Sequence, residues 1–113
     1  MEARLSSGTL VQGLLRLAQR DGGFGAVLAR GDSDSGAVAI VLVERGERRM
    51  ILERILGEDG RYRWQKTGNQ AAETDEEFEK FLKRKRGFDP DLWVLELDVP
   101  SAERFADEMK AIG

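Results

Sequence analysis

The chain is 113 residues long, 35% of them charged with a net charge of −3, and it contains neither histidine nor cysteine. That excludes histidine-based triads, disulfides, and the imidazole and thiolate ligands of zinc, copper and iron. It leaves carboxylate, lysine, tyrosine or arginine chemistry and oxygen-ligated magnesium, calcium or manganese.

In chain order, the first pattern is helical. Leu10, Val11, Leu14, Leu15, Leu17 and Ala18 share one broad face at about 100° per residue, opposite Gln12, Arg16, Gln19 and Arg20. Ser7 or Thr9 is placed to cap the start, and Gly22-Gly23 to stop it. Phe24 to Arg30 reads as a short strand, followed by a turn over Gly31-Asp32-Ser33-Asp34-Ser35-Gly36. Ala37 to Val43 is the most hydrophobic run in the chain. Short, rich in β-branched residues and bounded by turn signals, it predicts a strand buried on both faces. Turns over 45–48 and 57–60 then lead into strands at Arg49–Leu56 and Arg61–Thr67, completing a four-strand antiparallel meander. Thr74-Asp75-Glu76-Glu77 is a capping box opening a second helix, with Phe78, Phe81 and Leu82 as its apolar stripe and Gly87 as its end. Leu92 to Val99 forms a fifth strand whose Trp93, Leu95, Leu97 and Val99 face the helices. Pro100-Ser101 starts a last helix carrying Ala102, Phe105, Ala106, Met109 and Ile112 on one side.

This order, with no repeat or linker to split it, predicts a single α+β domain burying roughly 65% of its unfolded surface. The expected architecture is an antiparallel sheet of about five strands, the meander plus a late strand, with three helices packed mainly on one face. Whether the late strand lies beside the first strand or at the far edge is left open by the pattern.

Three segments carry a family resemblance: Arg4-Leu5-Ser6-Ser7-Gly8 ahead of the first helix, the run Gly23–Ala37, and Arg86-Gly87-Phe88-Asp89-Pro90-Asp91-Leu92-Trp93-Val94. In these the chain resembles the bacterial domain-of-unknown-function family DUF1491, over nearly its whole length. The resemblance implies a small, single-domain, stand-alone bacterial protein. A family of unknown function assigns no catalytic residue and no cofactor.

Two sets of residues are candidates for function. Asp32 and Asp34 flank Ser33 in the loop after the first strand and can present two carboxylates to a divalent cation or a phosphoryl group, with Asp89 or Asp91 as an outside carboxylate. Counting from Asp32, however, the fifth position is Gly36 and the twelfth Val43, which excludes a helix–loop–helix calcium site. A turn in which Asp and Ser bond their own backbone is the simpler reading. Gly22-Gly23-Phe24-Gly25 follows a helix and opens a strand, the reverse of a phosphate-cradling loop. Lys80, Lys83, Arg84, Lys85 and Arg86 follow an acidic half-helix, as the helix dipole favours, and read as a solvated face. Arg30-Gly31-Asp32 spells an adhesion tripeptide without an export signal beside it.

The second set lies on the hairpin. With 57–60 as a four-residue loop, Arg54 faces Arg63, while Tyr62 and Trp64 share the other face with Ile51 and Ile55. Arg54, Arg61 and Arg63, with Leu52 and Leu56 beside them, then form an interaction surface for an anion or an acidic partner. Residues 45–66 hold seven basic and four acidic side chains, and residues 89–113 two basic and seven acidic, that is +3 against −5. This asymmetry suits a homo-oligomer. The reading reached is a non-enzymatic interaction module that self-associates through the hairpin or a strand edge, with no cofactor and no metal. Carboxylate chemistry at Asp32 and Asp34, and anion or nucleic-acid binding at the arginines, are the alternatives. No apolar run approaches the roughly 18 residues of a membrane span, and MEARLSSGTL lacks a signal-peptide pattern, so a cytoplasmic location is expected.

Overall fold

The structure, a computed structural model, describes residues 5–67 and 74–111. The elements run α1 (Ser7–Arg20), β1 (Phe24–Ala29), β2 (Val38–Glu44), β3 (Glu47–Leu56), β4 (Tyr62–Lys66), α2 (Asp75–Phe88), β5 (Trp93–Asp98) and α3 (Ala102–Met109). All three helices begin on hydroxyl caps. Ser6, Thr74 and Ser101 accept from the amides of Thr9, Glu77 and Arg104 at 3.3, 3.1 and 3.3 Å. The cap of α1 is Ser6, earlier than Ser7 or Thr9, because the amides of its first turn bond outward: Ser7 N–H to Asp34 O at 3.2 Å and Gly8 N–H to Ser33 O at 2.8 Å. Ile112, expected on the last helix, lies outside the described residues.

Five strands form one sheet in the order β1-β5-β2-β3-β4. The expected antiparallel meander holds for β2-β3-β4, but β1 does not pair with β2. β5 inserts between them, antiparallel to β1 and parallel to β2, so the sheet is mixed. The physical reason lies in the segment read as a turn. Residues 31–36 do not reverse the chain into a neighbouring strand; they wrap around the start of β5. Asp32 N–H donates to Asp91 O, Trp93 N–H to Ala37 O, and the Trp93 indole Nε1–H to Asp32 O at 2.7 Å. Gly31 and Gly36 both press against the Asp91 carbonyl where a Cβ has no room.

β2 is buried on both faces, as its composition predicts. Ile40 and Leu42 join Leu95 and Leu97 under Leu10, Leu14, Phe105 and Met109. Val41 and Val43, on the other face, join Ile51 and Val94 under Phe78. Two helices, α1 and α3, therefore cover one face, and α2 covers the other. Trp93, Leu95, Leu97 and Val99 all face α1 and α3, as their alternation implies. Among the described residues no helix is long and apolar enough to cross a membrane.

Candidate functional site

The hairpin register differs from the expected one. Gly57 N–H bonds Arg61 O and Gly60 sits at φ 81°, so the loop has five residues, 57–61, and Leu56 pairs with Tyr62. A slip of one residue turns every side chain to the other face. Arg54 is therefore opposite Trp64, and Arg63 is opposite Ile55 on the other side of the sheet. Arg54 lies over the Tyr62 ring at 4.0 Å. Arg63 is held by Asp59 through a two-pronged contact of 3.1 and 2.6 Å. That ion pair holds the Asp59 carboxyl down at about 2 from 3.8 and raises Arg63. The Arg61 amide donates to the same carboxylate. Leu52 is 4% exposed and belongs to the core under α1 and α3, along with Trp64 at its margin, whereas Leu56 is 51% exposed. The arginines thus do not face one another, and Leu52 presents no surface.

The acidic loop is held by its own hydrogen bonds. The Asp32 carboxylate accepts from Ser35 N–H at 2.8 Å, from the Ser35 hydroxyl and from Asp34 N–H, bonds that lower its pKa. Asp89 likewise accepts from the Asp91 amide. Among the described residues no group of three or more acidic side chains is placed to hold a metal ion. Asp34 is exposed and lines a groove of about 420 Å³ together with Ser35, Arg54 and Tyr62. One residue from each candidate set thus lines the same groove, a juxtaposition the pattern alone does not give. The Ser7 hydroxyl, buried at 3% exposure, donates to Gly36 O at 2.5 Å. With Arg30 over the Trp93 ring at 5.5 Å, the three segments that carry the family resemblance meet at this loop.

Sequence reasoning names a strand edge without saying which strand; the structure places β1 there. Among the described residues β1 pairs with β5 on one side only, and the backbone groups on its other side have no strand partner there. Its residues, Phe24-Gly25-Ala26-Val27-Leu28-Ala29, carry no charge, and Phe24, Leu28 and Val27 are 64, 42 and 36% exposed. Gly25 and Val27 pair with Leu97 and Leu95 and so face α1; Phe24 and Ala26 pair with Asp98 and Glu96 and face the α2 side. The register shifts between Val27 and Ala29, leaving Leu28 as a bulge. The signal was present: a six-residue run without a charge in a chain one-third charged.

Comparison with known proteins agrees with this architecture. Two structures of a DUF1491 family protein from Caulobacter crescentus CB15 are similar to this chain. The NMR structure has a TM-score of 0.77 at 27% identity, covering 92% of this chain and 94% of that one. The crystal structure has the same TM-score and identity, with 90% and 94% covered. A solution structure of a protein from A. tumefaciens matches with a TM-score of 0.75 at 27% identity, over 91% and 92% of the two chains. No curated protein matches the chain. The sequence profile described as "Protein of unknown function (DUF1491)" matches residues 5–107, so the chain belongs to that family.

Proposed function

We propose that this protein is a non-enzymatic interaction module that self-associates through the β1 edge of its sheet. The observation that carries the reading is the uncharged, exposed edge strand. Sheet proteins blunt such edges with charge, proline or a cover, because an open row of amides and carbonyls templates pairing with another chain. β1 has none of these over Phe24–Val27, and its bulge at Leu28 limits rather than blocks a ladder. Two copies related by a two-fold axis normal to the sheet extend it antiparallel, with Ala26 opposite its counterpart and Gly25 opposite the partner's Val27, residues of one face meeting on that face.

The expected result in sedimentation at micromolar concentration is a reversible dimer whose affinity changes little between low and high salt, since no charge lies on the edge. Val27→Lys, which places an ammonium on the edge, weakens it at least tenfold. A parent that stays monomeric at every salt concentration overturns the reading.

A further inference from the structure

We infer that the self-association surface has a second layer: α1 of one copy packs antiparallel against α1 of the other, along the flank formed by Gln12, Leu15 and Gln19. This rests on the β1 pairing proposed above and specifies which further surface the second copy covers.

A Cβ on Gly25 would meet Leu97 Cδ2 at 2.5 Å and Leu15 Cδ2 at 2.6 Å, so the helix sits directly on the edge strand, with Leu15 leaning over it. α1 contacts β1 and β5, placing its axis above that pair rather than above the middle of the sheet. Neighbouring strands are spaced by about 4.8 Å. When β1 pairs with its counterpart, the midlines of the two β1–β5 pairs lie two spacings apart, about 10 Å. That is the separation at which helices pack through interlocking side chains, about 8–10 Å. The two copies of α1 therefore stand at contact distance once the edges join, on the same face and running in opposite directions.

The chemistry of the flank fits this. At about 100° per residue, Leu15 points toward the free edge, Gln19 and Gln12 follow about 40° and 60° further round toward solvent, and Arg16 and Arg20 come after them, at about 100° and 140°. Arg20 reaches Glu108 of α3 at 3.2 Å, which fixes the inward side of the helix independently. The arc from Leu15 to Gln12 is uncharged, like β1 below it, and Arg16 borders it on the solvent side. Two glutamines bracketing a leucine suit a self-complementary contact, each amide both donating and accepting. The alternative two-fold, lying in the plane of the sheet, puts the two helices on opposite faces and forms no such layer.

A charge-swap experiment tests the layer. Gln12 and Gln19 are exposed helix positions, and Glu and Lys have helix propensities close to that of Gln, so both double variants fold, as circular dichroism checks. Gln12→Glu/Gln19→Glu and Gln12→Lys/Gln19→Lys each weaken the dimer at least tenfold in low-salt buffer, and mixing the two restores parental affinity as a heterodimer. If both variants dimerise like the parent, the helix layer is wrong while the β1 pairing stands. If both are weakened but mixing restores nothing, the flanks do not meet, and the layer is again overturned. A monomeric parent removes the β1 pairing and this inference together.

Discussion

β4 and β1 close the same sheet from opposite sides, and they meet solvent with different chemistry. β4, Tyr62–Lys66, places Arg63 and Lys66 on its exposed surface and ties Arg63 to Asp59 of the adjoining loop. β1, Phe24–Ala29, places no charge anywhere and is fastened at its two ends by Gly23 and Gly31, which bring backbone against the backbone of Asp98 and Asp91. One edge carries charges that guard it against a further strand, and the other carries none. Under the proposed pairing, a single guarded edge is what stops the assembly at two copies, since a sheet open on both sides adds chains without end.

The largest effect expected from breaking this contrast lies at the fastening of β1. A Cβ on Gly23 runs into the carbonyl oxygen of Asp98, backbone that cannot swing aside. Gly23→Ala therefore forces β1 away from β5 and costs about 2–3 kcal/mol, with a fall in Tm of roughly 10 °C in calorimetry. No such close approach pins β4 among the described residues, so an alanine at Gln65 on that strand leaves Tm nearly unchanged. Equal losses at the two sites would mean that the edges are held alike.

Next in size is the converse change, unguarding β4. Arg63→Val with Lys66→Val gives the outer strand the composition of an aggregation-prone edge. With both edges open, light scattering should grow with concentration well beyond the dimer, while Lys83→Ala, at an exposed position of α2, changes nothing. Unchanged scattering in the doubly substituted chain would show that charge is not what protects β4.

How much of this was legible in the sequence follows from the range of the interactions involved. The helix caps at Thr74 and Ser101, the doubly buried β2 and the inward face of β5 follow from local periodicity, and the structure keeps them. The position of β5 between β1 and β2 is set by contacts about sixty residues apart, such as Trp93 Nε1 with Asp32 O, which no local pattern encodes. The Gly-Asp-Ser-Asp-Ser-Gly run has turn composition and does form Asx bonds, yet it serves as a wrap around β5 and not as a hairpin. The arginine face failed for a smaller reason: one residue more in the 57–61 loop sends Arg54 and Arg63 to opposite sides. Once β5 is placed, the strand order makes β1 an edge, and its missing charges leave that edge unguarded.

The smallest effect sharpens the account of the guarded edge. Asp59 titrates at about 2, below its ordinary 3.8, because Arg63 donates two hydrogen bonds to it and the Arg61 amide a third. A carboxyl whose folded value is depressed contributes stability that is complete above its unfolded value and is lost as pH falls through the folded one. The contribution of the pair is therefore present above about pH 4 and disappears toward pH 2. It is small, since both partners are solvent-exposed. Asp59→Asn keeps an acceptor for the Arg61 amide but removes the charge. The Tm of the variant should fall slightly below that of the parent at pH 6 and coincide with it near pH 2. Carboxyl NMR supplies the direct check: a midpoint for Asp59 near its ordinary value would show that the pair does not hold Arg63 on the edge, and the guard of β4 would then be a mobile charge and not a fixed one.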